Sequence, residues 1–313
     1  MQIFNEAPVL ASEIDRLGHM NVQYYMERAG KANAELLRAQ GLTPALLAEH
    51  TATLRQTDSY CRFHREQFVG AMLQVAGGLL DIDQRRAKVY IEIRNQSRNQ
   101  IAATFIIDNA MVKLADRTLL DLPSDRAPIS EPTHIAIPAH GRPRSLHLDP
   151  PRTDINLAEL QSRIVDLGPI GMMSGQFERA VDAAECDEHG FLREGANLMF
   201  GGRRPQPDED GSFGPPVLRT DEGHRFGWAI METRSLVFAA PRAGDVLVSI
   251  GADVAIAAKS RHSRRWTFRP DTGQLVGIND AVAVALDLDE RRAIEIPQSI
   301  QSVIKQNYFP EYT

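Results

Sequence analysis

Asp15-Arg-Leu-Gly18-His19-Met-Asn21-Val22-Gln-Tyr24-Tyr25-Met-Glu27 sets a carboxylate, a glycine turn and a histidine directly before the start of a helix. A helix N-terminus presents unpaired backbone N–H groups and a partial positive charge. A carboxylate held beside it can attack, or direct water at, a carbonyl whose oxygen those N–H groups polarise. Asn21 suits an N-cap, and Gly41 after Gln40 suits a stop. Between them Val22, Tyr25, Ala29, Ala32 and Leu36 recur at steps of three and four, which makes one apolar stripe. The spacing predicts a helix of about five turns from near Val22 to near Gln40. A plainer reading stands beside the chemical one. On it Asp15 and His19 are surface residues, Asn21 only caps, Glu27 makes a surface salt bridge, and Tyr24 and Tyr25 are core.

The chain has 313 residues, enough for two domains of about 150 residues each. Its 43% hydrophobic and 24% charged residues are those of an ordinary soluble globular protein. A net charge of −6 argues against a nucleic-acid binder, which needs a basic surface to displace counterions. The start, Met1 to Pro8, has no basic region followed by an apolar core, so no signal peptide is expected. No run of about 18 apolar residues exists to span a bilayer, so neither membrane nor nucleic acid is expected as a partner. Cys61 and Cys186 stand far apart in no metal or redox spacing, which points to a reducing, cytoplasmic setting and two packed thiols. Dinucleotide, P-loop, zinc-protease and serine-elbow motifs are all missing. His134, His140 and His147 lie in a proline-rich stretch and read as loop residues, and no metal or cofactor is expected.

Seven of the 18 prolines fall between Pro123 and Pro151, a density that prevents regular ladders. The chain therefore divides into an N-terminal domain, 1–118, a linker, 119–158, and a C-terminal domain, 159–313. The two halves resemble copies. Phe68-Val-Gly70-Ala-Met-Leu-Gln-Val75 matches Arg242-Ala-Gly244-Asp-Val-Leu-Val-Ser249, and Gln100-Ile-Ala-Ala103 matches Gln274-Leu-Val-Gly277, both 174 positions on. Asp15 and Asp187 are 172 apart, each with a glycine three residues later, Gly18 and Gly190. Val89, Ile91 and Ile93 alternate with polar neighbours, the pattern of a half-buried strand. Turns at Asn95–Asn99 and Arg269–Gly273 separate neighbouring strands, so the sheets are expected to be antiparallel. Each half reads as a strand, a helix and about four strands, an α+β arrangement with one helix on a curved antiparallel sheet.

These features resemble the hotdog-fold thioesterases, especially the acyl-CoA branch related to 4-hydroxybenzoyl-CoA thioesterase. The family's signature is similar to Asp15, Gly18, His19 and Asn21 followed by Tyr25 and Glu27, and its later strand signature to Phe63 through Leu80. The resemblance covers nearly all of 1–115 and, more weakly, 160–298. It implies two tandem hotdog units, each a sheet wrapped around a central helix, packed as a pseudo-dimer. The second copy departs from the signature, with Phe191 and Arg193 where His19 and Asn21 stand. Gly195, Gly201 and Gly202 follow, then a charged loop from Pro205 to Pro216. A shorter or irregular second helix and a degenerate second site at Asp187 and Gly190 are expected.

The resemblance further implies hydrolysis of an acyl-CoA or similar pantetheine thioester. Asp15 would be general base or nucleophile, His19 and Asn21 would orient it or the water, and Gly18 and Val22 would offer backbone donors. Tyr24 and Tyr25 would line the acyl pocket. Arg261, Arg264 and Arg265 read either as ligands for CoA phosphates or, preferably, as a solvated strand edge. A non-catalytic acyl-thioester-binding protein and a hotdog-type hydratase or dehydratase remain the other readings. Exposed edge strands allow a homo-oligomer of such chains.

Overall fold

The computed structural model describes residues 1–124, 126–129, 134–171, 174–193 and 214–313. The chain forms two compact units, one of Met1–Ile14 with His19–Arg144, the other of Asp15–Gly18 with Ser145–Thr313.

In the first unit, α1 spans Val22–Ala39. Asn21 caps it by accepting the Gln23 N–H on its side-chain oxygen at 3.1 Å, and Gly41 ends it at φ +84°. Tyr25, Ala29, Ala32, Leu36 and Leu37 are buried on its inward face. Around it run β1 (Gln2–Pro8), β2 (Ala52–Phe63), β3 (Met72–Ile82), β4 (Ala87–Asn95) and β5 (Gln100–Lys113), after a short α2 (Pro44–Glu49). They pair antiparallel in the order β1-β3-β4-β5-β2, and α1 packs against β3, β4 and β5. A buried amide pair pins helix to sheet. Asn33 donates to the Asn109 side-chain oxygen at 2.8 Å and receives the Asn109 amide at 3.0 Å. Replacing Asn33 by Leu removes the donor to the buried Asn109 side-chain oxygen, while the Asn109 amide keeps the Ala87 carbonyl, and thermal denaturation is expected to record a loss of about 2 kcal/mol.

β4 is not half-buried as its alternation predicted. Tyr90 and Glu92 on its outer face are as buried as Val89, Ile91 and Ile93. The cover is the proline-rich segment itself. Gly141 lies so close to Tyr90 that a Cβ there would sit 2.4 Å from the ring. His140, read as a plain loop residue, brings Nε2 to 2.6 Å from a Glu92 carboxylate oxygen, and Arg62 donates to the carbonyls of His140 and Arg142. Nearby His64 is held near neutrality by burial and by Arg62 and His140, with its pKa lowered to about 4.

The second unit repeats the plan. β7 (Gly175–Ala180), β9 (Arg225–Val237), β10 (Val246–Ile256), β11 (Ser260–Arg269) and β12 (Gln274–Asp287) pair in the order β7-β10-β11-β12-β9. Short β6 (Leu119–Leu120), β8 (Leu218–Arg219) and β13 (Arg292–Ala293) extend β5, β9 and β12. Bulges at Thr57, Leu80 and Ala102 recur 174 positions later at Met231, Val254 and Val276. The left-handed turns at Gly70 and Asn99 recur at Gly244 and Gly273. Irregularities cost a sheet regular pairing, so their return at one spacing marks inherited geometry. One face of this second sheet buries Val248, Ile250, Trp266, Phe268 and Ile278 beneath α3 (Leu157–Arg163), Phe309 and Tyr312.

The three arginines of β11 are not a solvated edge, because β11 lies between β10 and β12. Arg261 is bound through Nε and Nη2 to the two oxygens of Asp253, both at 2.7 Å. Arg264 pairs with Asp280, and Arg265 is fully buried with its guanidinium over Phe177. The glycine-interrupted second helix and most of the Pro205–Pro216 loop fall on residues 194–213, outside the described residues. Among the described residues, no helix is long and apolar enough to cross a membrane.

Candidate active site

Asp15 opens a tight turn. Its Oδ1 accepts the Leu17 N–H at 2.9 Å, and its carbonyl accepts the Gly18 N–H at 2.8 Å. Gly18 sits at φ +82°, a conformation glycine adopts without steric cost. In the second unit, to which Asp15–Gly18 belongs, Leu17 fills a pocket with Leu286 and Leu288. Arg291 donates to the Leu17 carbonyl at 2.7 Å, and Gly214 lies against Asp15, where a Cβ would come within 2.9 Å of the Asp15 Cβ. Asp15 is nearly buried, 7% exposed.

The residues that follow belong to the first unit. The Met20 N–H donates to the Gln67 carbonyl at 2.8 Å and the Asn21 N–H to the Glu13 carbonyl at 2.9 Å, which sets the entry into α1. Asn21 caps the helix with its side chain. Val22 opens the helix, so its own N–H has no acceptor within the helix. The Gly18 N–H is already used by the turn. Tyr24 donates its hydroxyl to the Ser12 carbonyl at 3.1 Å. Tyr25 packs edge-on against Phe63 in the core, and burial pushes its phenol far above the usual range. His19 Nδ1 lies 2.6 Å from a carboxylate oxygen of Glu66, a close approach that the motif did not reveal and that lacks the alignment of a hydrogen bond.

The same loop exists twice. In the second copy Asp187 Oδ1 accepts the His189 and Phe191 N–H groups, and the Gly190 N–H donates to the Asp187 carbonyl at 3.0 Å. Arg193 donates its N–H to Glu185 as Asn21 does to Glu13, and Leu192 bonds Pro241 as Met20 bonds Gln67. The scaffold is kept while the chemistry changes. Phe191 is buried beneath the Arg242 guanidinium, and Arg193 has no oxygen with which to cap a helix.

Elsewhere in the second unit, His147, Arg152, Arg234, His262, Arg264 and Asp280 help line a cavity of about 500 Å³. Its charges are largely spoken for. Asp280 receives His262 and Arg264, which outweigh burial and hold its carboxyl below the ordinary range. Arg234 donates to the carbonyls of His147, Leu148 and Asp149. Among the described residues no three His, Cys, Asp or Glu side chains gather as a metal would require.

Residues 9–136, which hold the loop, α1 and the four long strands of the first unit, match the family described as the thioesterase-like superfamily. No curated protein matches the chain. Among solved structures it is similar to a 12:0-ACP thioesterase from Umbellularia californica, at 10% identity and a TM-score of 0.61, covering 90% of this chain and 94% of that one. It is also similar to an acyl-ACP thioesterase from Bacteroides thetaiotaomicron, at 9% identity and a TM-score of 0.57, covering 89% and 96%. At such identities the likeness speaks for the fold. Residues 9–136 match the thioesterase-like superfamily, and the chain as a whole shares the fold of these solved thioesterases.

Proposed function

We propose that this chain, as a tandem double hotdog, hydrolyses an acyl thioester carried on pantetheine, either acyl-CoA or an acylated carrier protein. The observation that carries the reading is the hydrogen-bonded Asp15–Gly18 turn feeding, three residues on, into the Asn21-capped start of α1. In the proposed reaction Asp15 takes a proton from water as its oxygen attacks the thioester carbonyl. The carbonyl π electrons move to oxygen, and the Val22 N–H with the helix dipole stabilises that charge. Collapse breaks the C–S bond and expels the thiolate, a leaving group good enough to need no dedicated acid. In the alternative route Asp15 attacks first, forming a mixed anhydride that water then opens. His19 and Asn21 orient the reacting groups, and Tyr24 and Tyr25 shape the acyl side. The second loop, with Asp187 but with Phe191 and Arg193 at the positions of His19 and Asn21, is a degenerate copy.

Thiol release from matched acyl-CoA and acyl-carrier-protein panels tests the reading. Turnover of some chain lengths on one carrier supports it and names the carrier. Tight binding of acyl thioesters without any thiol release would replace it by a non-catalytic binding protein.

A further inference from the structure

We infer that Arg291 is a positioning residue for Asp15, fixing its tight turn through the Leu17 carbonyl. The catalytic consequence rests on the thioesterase reading; the contact itself does not. Leu17 is held at three places within the second unit. Its side chain packs with Leu286 and Leu288, and Gly227 lies so close that a Cβ there would come within 2.9 Å of the Leu17 Cδ2. Its carbonyl accepts Arg291 Nη2 at 2.7 Å, and its N–H donates to Asp15 Oδ1 at 2.9 Å. The orientation of the Asp15 carboxylate is therefore set by the placement of Leu17. A second route runs through the next peptide. The Leu17 carbonyl and the Gly18 N–H belong to one amide, and that N–H donates to the Asp15 carbonyl at 2.8 Å. A guanidinium on the oxygen of an amide polarises it and strengthens its N–H as a donor, so the same cation tightens the bond that closes the turn.

Two further observations separate this contact from a chance surface bond. The first is the space above the turn. A Cβ at Gly18 would stand 2.8 Å from the same Nη2. At Gly190, the counterpart in the second loop, such a Cβ would meet no atom of the described residues within 4 Å beyond its chain neighbours. Both glycines have positive φ, +82° and +77°, so each turn asks for glycine, but among the described residues only the first has a guanidinium pressed over it. The second observation is the backbone of the arginine. Arg291 is an exposed residue of the loop between β12 and β13, where the Asp289 and Glu290 N–H groups donate to Asp287 Oδ1. It sits at φ +51°, a left-handed conformation that costs a side-chain-bearing residue and suits glycine. A long cationic side chain kept at a strained, exposed position points to a use for its far end, and that end is on Leu17.

Arg291→Gly removes the guanidinium and relieves the backbone at once, so turnover and stability should part. We expect kcat to fall about 10- to 100-fold with KM little changed. The melting temperature should stay close to that of the wild type, the strain relieved offsetting the hydrogen bond lost. Arg291→Lys, which keeps a cation, should recover part of the turnover. Amide hydrogen exchange supplies a readout that needs no activity. The Leu17 and Gly18 amides should exchange about tenfold faster in Arg291→Gly, while those of α1 keep the wild-type rate. Unchanged exchange at both amides overturns the inference whatever the activity, and so does wild-type turnover in Arg291→Gly. A fall in kcat that follows a general loss of stability would reduce Arg291 to an ordinary stabilising contact and overturn it as well. Faster exchange at the turn, together with a wild type that releases no thiol, would sink the hydrolase reading and leave the contact standing.

Discussion

Asp15→Asn is expected to lower kcat for acyl-thioester hydrolysis by about a thousandfold, equivalent to about 4 kcal/mol of transition-state stabilisation. Asparagine keeps the oxygen that accepts the Leu17 N–H, so the turn and the fold survive and the loss is chemical. Unchanged melting behaviour in the same variant checks that separation. Asp187→Asn should leave turnover within about twofold, because its loop offers neither the histidine nor the asparagine of the first copy. Single-turnover reaction in H₂¹⁸O then bears on the two routes: label in the Asp15 carboxylate marks an anhydride opened at the aspartyl carbon, a product that direct attack by water cannot give. Full activity in Asp15→Asn would remove this residue from the reaction.

The largest expected effect on stability lies in the second unit. Asp253 is wholly buried and accepts Arg261 at both oxygens and the Ser263 hydroxyl, each at 2.7 Å. Arg261 also donates to the Gly171 carbonyl at 3.2 Å and stacks over Trp228. Arg261→Leu leaves a carboxylate with no countercharge in the interior, a loss of about 3–5 kcal/mol. Burial, opposed by Arg261, already pushes the Asp253 carboxyl above the ordinary range. A carboxyl that holds its proton more tightly when folded stabilises the fold at low pH and loses that contribution as pH rises through its folded pKa. Without the guanidinium that pKa climbs further, so Arg261→Leu should be less impaired at mildly acid pH than at neutrality. Urea denaturation at the two pH values measures it. The double variant with Asp253→Leu should regain part of the loss, and equal stability of Arg261→Leu and wild type would refute the account.

Local signals were the readable ones. The cap at Asn21, the stripe ending at Leu36 and the stop at Gly41 act within one helix, so α1 follows from neighbouring residues alone. The repeat was legible because left-handed turns favour glycine, and Gly70 with Gly244 kept their spacing. Coverage was not legible. The outer face of β4 is buried by a segment some fifty residues further on, and alternation carries no information about what a chain folds back upon. The arginines of β11 looked solvent-bound for the same reason, since their carboxylates, Asp253 and Asp280, stand on adjoining strands. The approach of Glu66 to His19 escaped notice because it depends on the backbone bond between Met20 and Gln67, which no periodicity announces.

The four residues Asp15–Gly18 are structurally part of the second unit, with Leu17 lodged beside Leu286 and Leu288 and its carbonyl held by Arg291. If Asp15 acts as proposed, the setting of its turn depends on an arginine 274 residues beyond the Leu17 carbonyl it holds. A fragment ending at Arg144 would carry the whole motif in its sequence and still lack Leu286, Leu288 and Arg291, the side chains that seat Leu17.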